Sequence, residues 1–203
     1  MSTMPVWAID RLRMTTDGAG VTTLVTAEGC PLRCRYCLNP MSWNGEARSE
    51  LMTPSELYEK VRIDDLYFQA TGGGVCFGGG EPLLYPGFIS EFRALCPPEW
   101  KLRAETSLHV PRENIAAVLD SIDEFIIDIK DMDSSIYHSY TGQSNRLVYN
   151  NLADLLSCVD PERILVRVPL IPGFNTDEDV RSSIDILRAM GVTRLDLFQY
   201  RTV

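Results

Sequence analysis

Three cysteines stand close together in the segment Cys30-Pro31-Leu32-Arg33-Cys34-Arg35-Tyr36-Cys37. They follow an apolar, β-branched run from Val21 to Ala27, and this composition predicts a strand that ends just before the cysteines. Three thiolates on one short loop can hold one face of a metal ion or of an iron–sulfur cluster. Such a site leaves one coordination position without a protein ligand, and a substrate or cofactor can bind there.

The spacing alone leaves three interpretations open. A structural zinc ion normally takes four tetrahedral ligands, commonly as two pairs. This sequence has no second cysteine pair near the first, and its histidines, His109 and His138, are distant along the chain. Iron–sulfur clusters are commonly held by thiolates. The pattern therefore favours a cluster, with zinc and three unligated buried cysteines as the alternatives.

Composition limits the class of protein. The chain has 203 residues, of which 45% are hydrophobic and 23% charged, as in an ordinary globular protein with one sizeable core. Its formal net charge of −9 argues against nucleic-acid binding, which requires a basic face. We predict a single domain over residues 1–203, with a lead-in over residues 1–19 and a cysteine loop over residues 28–40.

The same sequence indicates a cytoplasmic protein. We find no apolar run of 18 residues or more, so we expect no membrane span. The first residues lack the apolar core of a signal peptide. The remaining cysteines, Cys76, Cys96 and Cys158, are scattered along the chain, which suits a reducing compartment better than a disulfide framework.

Strand and helix patterns alternate along the chain and predict an α/β fold with a parallel sheet. Helices are expected to begin near residues 53, 86, 111, 145 and 177. Six strands do not complete an eight-stranded barrel, so we predict a partial (β/α)6 TIM-type barrel that is open on one side, with a flat doubly wound sheet as the alternative. The predicted strands are Val21–Ala27, Gly74–Phe77, Lys101–Thr106, Glu124–Ile129, Ile164–Leu170 and Arg194–Gln199.

Polar motifs follow these strands. Ligands bind at the carboxyl ends of parallel strands, so we expect the motifs to meet at one mouth of the barrel. Taken one at a time, each charged residue is better explained by a solvated strand-end position or a structural ion pair, and only their common position raises the functional interpretation. The motifs expected at the mouth are the cysteine loop, Gly78–Glu81, Glu105–Thr106, Asp128–Lys130 and Arg167.

These motifs together resemble a known family. The Cys-x3-Cys-x-Tyr-Cys pattern resembles the signature of radical S-adenosylmethionine (radical SAM) enzymes, and Gly79-Gly80-Glu81-Pro82 resembles their glycine-rich motif. Asp17-Gly18-Ala19-Gly20 and Asp128-Ile129-Lys130 are similar to motifs of the activating enzymes of glycyl-radical enzymes. The matches run from about residue 17 to residue 177 in the order of that family, in its compact form without a ferredoxin-like insert.

The resemblance implies cofactors, a reaction and partners. Cys30, Cys34 and Cys37 would bind three irons of a four-iron four-sulfur (4Fe-4S) cluster, and the fourth iron would bind S-adenosylmethionine. Reduction would cleave this cofactor to methionine and a 5′-deoxyadenosyl radical, which would take a hydrogen atom from a glycine of a partner glycyl-radical enzyme. The electron would come from a flavodoxin- or ferredoxin-type donor.

The resemblance also implies roles for individual side chains. Glu81 would take the ammonium group of S-adenosylmethionine, Lys130 and Arg167 would take its carboxylate, and Asp17 would contact the incoming protein loop. Glu105 and Thr106, together with Asp128, would belong to a monovalent-cation site, although Glu105 is one methylene longer than the aspartate of the family. The full set of expected cofactor contacts is Tyr36, Gly78, Gly79, Gly80, Glu81, Glu105, Asp128, Lys130 and Arg167. The alternatives are packing for Tyr36 and turn formation for Asp17.

Two departures from the family widen the set of functions. Leu38 stands where many activating enzymes carry a histidine, and the sequence ends four residues after its last predicted strand. These departures motivate the alternative of a radical SAM enzyme that acts on a small molecule or a ribosomal peptide. A non-catalytic module that binds zinc or a cluster is the alternative from another functional class.

Overall fold

An eight-stranded sheet organises the fold of the computed structural model, which describes residues 2–14 and 16–200. The strand order across the sheet is β3-β1-β2-β4-β5-β6-β7-β8. The strands are β1 (Met4–Met14), β2 (Val21–Ala27), β3 (Glu50–Met52), β4 (Gly74–Gly79), β5 (Lys101–Thr106), β6 (Glu124–Asp128), β7 (Ile164–Leu170) and β8 (Arg194–Gln199).

Six of these strands form the parallel part of the sheet. The pairs β2–β4, β4–β5, β5–β6, β6–β7 and β7–β8 are all parallel, which confirms the six predicted strands and their direction. β3 and β8 are the two edges and do not pair with each other, so the barrel does not close. The prediction of a partial barrel that is open on one side is therefore confirmed.

The connecting helices lie between successive strands. The helix predicted near residue 53 begins with a capping box, in which Thr53 and Glu56 each bond to the other's backbone N–H. Its first residue is Pro54, and the N–H that proline lacks would have no partner within the helix at this position. The helices are α1 (Met41–Asn44), α2 (Pro54–Val61), α3 (Asp65–Thr71), α4 (Pro86–Arg93), α5 (Arg112–Ala116), α6 (Ser134–Thr141), α7 (Arg146–Cys158) and α8 (Asp177–Ala189).

The residues before β2 contain more structure than the sequence predicted. The sequence predicts only a lead-in over residues 1–19, but β1 lies within them and pairs antiparallel with β2. β3 then pairs antiparallel with β1 and extends the sheet beyond its parallel part. Asp64 precedes α3 and is fully buried. It accepts a hydrogen bond from Thr23 of β2 at 2.8 Å and forms an ion pair with Arg11 of β1. These contacts fix β2, whose end carries the cysteine loop.

Buried apolar side chains on one face of the sheet hold the helices against it. Phe77 of β4 packs edge-to-face on Phe92 of α4, with ring centroids 5.5 Å apart, and both side chains are fully buried. Trp100 makes similar contacts with Phe68 of α3. Within the described part of the chain, every helix is too short or too polar to cross a bilayer.

Candidate active site

A cavity of about 620 Å³ lies at the carboxyl ends of the parallel strands. Its wall includes eleven of the predicted site residues, which are Asp17, Cys30, Cys34, Cys37, Gly79, Gly80, Glu81, Glu105, Asp128, Lys130 and Arg167. The parallel topology explains this convergence, because the loops that follow neighbouring strands leave the sheet at the same end.

The cysteine loop is joined to the glycine loop, residues 78–82, by two backbone hydrogen bonds. Gly80 donates its N–H to the carbonyl oxygen of Ala27 at 3.0 Å, and Glu81 donates to Gly29 at 2.7 Å. Each acceptor lies at the end of β2 or just beyond it. The position of Cys30 therefore depends on the loop that follows β4.

The middle of the cysteine loop is tied to the end of α6. Arg33 and Arg35 donate their backbone N–H groups to the carbonyl oxygens of Thr141 and Tyr140, at 3.1 and 3.0 Å. The Arg33 side chain turns back over the loop, where its Nη1 donates to the carbonyl oxygen of Cys30 at 2.6 Å. Its guanidinium carbon also lies 4.9 Å from the ring centroid of Trp43, a cation–π contact.

Two thiols of the loop, those of Cys30 and Cys34, lie in a poorly solvated environment. Burial raises the pKa of Cys30 to about 12, and the negative charge of Glu81 adds to this effect. Burial also raises the pKa of Cys34, although the positive charge of Lys130 opposes the shift. Without a cation these thiols stay protonated near neutral pH, whereas bound iron would stabilise their thiolate forms.

The spacing of the three thiols suits a cluster. Among the residues that the structure describes, no three His, Cys, Asp or Glu side chains converge closely enough to hold one metal ion. In an iron–sulfur cluster each thiolate can bind a different iron, so the sulfur atoms need not surround a single centre. Cys30, Cys34 and Cys37 are partly buried and line the same cavity, and this arrangement fits the predicted 4Fe-4S cluster.

The glycine loop requires glycine because backbone passes close to it. Gly79 has a φ of +85°, and a Cβ there would lie 2.7 Å from Cβ of Thr26. A Cβ on Gly80 would lie 2.3 Å from the carbonyl oxygen of Gly29. These two glycines allow the close approach to β2 and the cysteine loop, and Gly78 leaves room for the Glu105 side chain.

The carboxylate of Glu81 is held by donors from the chain itself. Thr106 Oγ1 donates to Oε1 at 2.7 Å, and both Oγ and N–H of Ser107 donate to Oε2 at 2.7 and 2.9 Å. The N–H of Leu83 completes the set at 3.2 Å. Burial nevertheless raises the pKa of Glu81 above its usual value. In this structure Glu81 joins the glycine loop to the end of β5, while its contact with the cofactor stays a prediction.

Lys130 and Asp128 form an ion pair after β6. Lys130 Nζ lies 3.2 Å from Asp128 Oδ2, and the lysine side chain is 13% exposed. Burial lowers the pKa of Lys130, but the negative charge of Asp128 outweighs it and the net shift is upward. The ammonium group is therefore positively charged where it lines the cavity, as a carboxylate-binding group must be.

Arg167 of β7 pairs with Glu105 of β5. Its Nη1 lies 2.7 Å from Glu105 Oε1 and 4.0 Å from Asp128 Oδ1. Burial raises the pKa of Glu105, while the charge of Arg167 lowers it, and the net shift is upward. Arg167 is predicted to contact the cofactor, and Glu105 is predicted to belong to a monovalent-cation site. In this structure the two side chains form an ion pair with each other.

Tyr36 belongs to an aromatic cluster beside the cavity. Its ring lies 5.5 Å from that of Phe174 and 6.2 Å from that of Tyr140, both edge-to-face, and 6.4 Å from that of Tyr200. Tyr200 itself lines the cavity. The structure thus gives Tyr36 a packing role, and its contact with an adenine ring stays a prediction.

Asp17 is buried next to the cavity. Its carboxylate accepts hydrogen bonds from Arg13 at 2.5 and 3.1 Å and from Thr22 at 3.2 Å, and the residue is 1% exposed. Burial raises the pKa of Asp17, but the bonds from Arg13 and other neighbours outweigh it, so the net shift is downward. Its expected contact with a substrate loop stays a prediction.

Three contributors to this site escaped the sequence analysis. Asn39 donates its Nδ2 to the carbonyl oxygen of Gly79 at 3.2 Å, which adds a further link between the two loops. Ser107 binds Glu81, and its position directly after a strand was a usable signal. Arg33 binds the carbonyl oxygen of Cys30, and nothing in the motif distinguishes it from the neighbouring Arg35.

Comparison with known proteins identifies relatives over most of the chain. Residues 24–187 match the family description Radical SAM superfamily. The pyruvate formate-lyase-activating enzyme of Clostridium pasteurianum is 32% identical over 92% of this chain and 78% of its own length. The (2S)-3-sulfopropanediol dehydratase activating enzyme of Klebsiella oxytoca is 29% identical over 86% of this chain and 74% of its own length.

A solved structure supports the fold. Streptococcus suis SuiB bound to S-adenosylmethionine superposes with a TM-score of 0.65 and 17% identity, over 86% of this chain. The matched region spans 39% of the SuiB chain, and at this identity the similarity concerns the fold alone.

The cofactors follow from the family and agree with the cavity. Radical SAM enzymes use a 4Fe-4S cluster and S-adenosylmethionine, and the three cysteines that carry the signature line this cavity. The profile match covers well over half of the chain, and the relatives named above are activating enzymes. The chain therefore belongs to the radical SAM superfamily and, within it, to the activating enzymes of glycyl-radical enzymes.

Proposed function

We propose that this protein activates a glycyl-radical enzyme by removing a hydrogen atom from the Cα of one glycine in that partner. The observation that carries the proposal is the similarity over most of the chain to activating enzymes, combined with a cavity that brings the cysteine triad and the strand-end charges together. Other relatives carry the same kind of name, including the choline trimethylamine-lyase activating enzyme of Oleidesulfovibrio alaskensis, 28% identical over 85% of this chain.

The residues of the chain hold and orient the reacting groups in this proposal. Cys30, Cys34 and Cys37 bind the cluster, and Lys130 neutralises the carboxylate of S-adenosylmethionine beside it. The bound and reduced cofactors supply a 5′-deoxyadenosyl radical. The wall of the cavity would exclude water from this reactive species once a substrate loop covers the open mouth.

The open side of the barrel supports a macromolecular substrate. Leu38 of the cysteine loop and Phe198 of β8 both line the cavity and are 64% and 37% exposed. A loop of a partner protein can bury such apolar side chains when it enters the cavity. Asp17, already in the cavity wall, is the proposed contact for that loop.

One electron per reaction must reach the cluster from outside. We include a flavodoxin- or ferredoxin-type donor in the proposal, together with a cytoplasmic location. The thiols of the cysteine loop are only partly buried, so a donor protein can approach the cluster over a short distance.

The experiment that tests the function is anaerobic mixing with candidate partners, read by EPR. The reconstituted protein is incubated with S-adenosylmethionine, a reductant and one glycyl-radical enzyme at a time. The first candidates are pyruvate formate-lyase, (2S)-3-sulfopropanediol dehydratase and choline trimethylamine-lyase, from the names of the relatives. We expect a glycine-centred doublet with one partner and no doublet when either protein is omitted.

Two cysteine variants provide the matched controls. Cys34→Ala should abolish both the cluster signal and the doublet. Cys158→Ala should leave both unchanged, because Cys158 is an exposed cysteine at the end of α7. Cleavage of S-adenosylmethionine without a doublet on any partner would instead favour the alternative, a small molecule or a ribosomal peptide as substrate.

A further inference from the structure

One guanidinium group lies among three carboxylates, which belong to β5, β6 and β8. Arg167 Nη1 lies 2.7 Å from Glu105 Oε1 and 4.0 Å from Asp128 Oδ1, and its Nε lies 3.8 Å from Asp196 Oδ2. Its Nη2 donates to the carbonyl oxygen of Thr16, in the turn between β1 and β2. The side chain is 15% exposed, so most of these interactions are shielded from solvent.

The register of the sheet produces this arrangement. Asp128 of β6 and Asp196 of β8 are the direct pairing partners of Arg167 on its two sides. Directly paired residues point to the same face of a sheet, so all three side chains lie on the interior face. Glu105 pairs with Ile126, two residues before Asp128, and therefore shares that face. The additional methylene of Glu105 extends its carboxylate toward the guanidinium.

Three ion pairs compensate buried charges at this side of the cavity. Arg13 binds Asp17, Lys130 binds Asp128, and Arg167 binds Glu105. Asp196 is 52% exposed and is solvated, and Glu81 has its own set of four donors. Asp128 Oδ1 is buried without a hydrogen-bond partner and lies 4.0 Å from Arg167 Nη1, so the guanidinium is its ionic partner. An added alkali ion would compete with Arg167 for this atom and for Glu105 Oε1.

We propose that the guanidinium of Arg167 takes the place of the monovalent cation that the family resemblance implies at Glu105 and Asp128. The enzyme then binds S-adenosylmethionine equally well with or without alkali ions. Arg167 is in this respect a positioning residue, which holds β5, β6, β8 and the Thr16 turn around the cavity. The proposal concerns the binding of the cofactor and does not depend on which partner is activated.

The test measures the affinity of the reconstituted protein for S-adenosylmethionine by anaerobic equilibrium dialysis. The dialysis is run in potassium, sodium and tetramethylammonium chloride at equal ionic strength. For the unaltered protein we expect dissociation constants that agree within about twofold in the three salts. An affinity that is about tenfold higher in potassium or sodium would overturn the proposal, since that is the order of effect of one charge-assisted interaction.

Arg167→Met distinguishes a cationic role from a merely structural one. Methionine keeps much of the volume of the side chain but leaves Glu105 and Asp128 without their guanidinium. We expect an affinity about tenfold lower in tetramethylammonium chloride, with substantial recovery in potassium chloride. An affinity of Arg167→Met for S-adenosylmethionine that is equally low in all three salts would overturn the proposal.

A control variant and a second signal complete the test. Arg112→Met, an exposed arginine paired with Asp154, should not change the affinity in any salt. Thallium-205 NMR of the cluster-free protein detects the binding of an alkali-like cation, and the measurement does not require enzymatic activity. We expect a potassium-displaceable thallium signal in Arg167→Met and none in the unaltered protein, and the reverse result would overturn the proposal.

Discussion

The backbone N–H of Glu81 donates a hydrogen bond across 2.7 Å to the carbonyl oxygen of Gly29, one residue before the first cysteine. A second bond, from Gly80 to Ala27 at 3.0 Å, extends this contact into a short parallel pairing beyond β4 and β2. The geometry of the cysteine loop is thus coupled to the glycine loop through backbone atoms. This coupling can be disturbed by one added methyl group.

Gly80→Ala should separate the two loops. The new Cβ would lie 2.3 Å from the carbonyl oxygen of Gly29, so the backbone must shift. We expect a loss of about 1–3 kcal/mol in the free energy of unfolding, as for other overpacked sites, together with a lower iron content after reconstitution. Urea unfolding and iron analysis provide the two measurements.

Gly87→Ala is the matched control for this substitution. Gly87 lies in α4, and its new Cβ would meet nothing closer than Ser2 Cβ at 3.8 Å. The iron content should not change, and the stability should rise by up to about 1 kcal/mol, because alanine favours a helix. If Gly80→Ala retained both normal stability and normal iron content, the coupling would be unimportant.

Arg33→Met should make the bound cluster less durable. Arg33 donates from Nη1 to the carbonyl oxygens of Cys30 at 2.6 Å and Leu32 at 2.8 Å. Each lost hydrogen bond weakens the loop by about 1 kcal/mol, so we expect the cluster absorbance to decay in air about fivefold faster or more. Arg35→Met is the control, since Arg35 is an exposed arginine of the same loop. Equal decay rates for the two variants would contradict the role given to Arg33.

The cysteines of the cluster-free protein should differ in their reactivity toward iodoacetamide. Cys158 is exposed and should react first, whereas burial raises the pKa of Cys30 to about 12 and leaves little thiolate near neutral pH. The fully buried Cys76 should react last. Mass spectrometry of digests gives the order, and in urea all these thiols should react at similar rates. Rapid labelling of Cys30 in the folded protein would show that its environment is better solvated than described.

Asp64 should contribute stability that disappears in acid. Burial raises the pKa of Asp64, but the bonds from Arg11 and Thr23 outweigh it, and the net pKa is below its usual value. Because the folded state binds the proton less tightly than the unfolded chain, stability is gained above about pH 4 and lost as the pH falls through the lowered pKa.

Asp64→Asn provides the measurement of this effect. We expect the variant to be less stable by about 1–3 kcal/mol near neutral pH, with a difference from the unaltered protein that shrinks as the pH falls toward 3. Urea unfolding at several pH values follows the difference, and Asp120→Asn at an exposed position should show none. A difference that grows in acid would contradict the sign of the shift.

The strands of the parallel sheet were predictable because their sequences are locally consistent. Ile164–Leu170 and Lys101–Thr106 have the same bounds in the structure as in the prediction. β1 was missed because Pro5 and the charged residues of its second half are unfavourable in a strand, and it forms by pairing with β2. α6 was missed because serine, threonine and tyrosine dominate it, and its start depends on two bonds from backbone N–H groups to the Asp133 side chain.

The site was predictable as a set of residues but not as a set of contacts. Parallel topology alone brings the strand ends together, so the convergence of Cys34, Lys130 and Arg167 on one cavity could be expected. The donors to Glu81 come from Thr106 and Ser107, and the partner of Arg167 is Glu105, two strands away. The pairing of donors with acceptors depends on how far each side chain reaches across the sheet. The spacing of residues along the sequence does not encode this distance.

The bonds that hold the cysteine loop have a consequence for how the protein matures. Gly29, Arg33 and Arg35 are each fixed by backbone hydrogen bonds to other parts of the chain. Ordering one residue opposes folding by about 1–2 kcal/mol, and in small zinc domains the metal itself must offset that entropy. Here the chain orders much of its own loop, so iron and sulfide can be inserted into a prepared site after the barrel has folded.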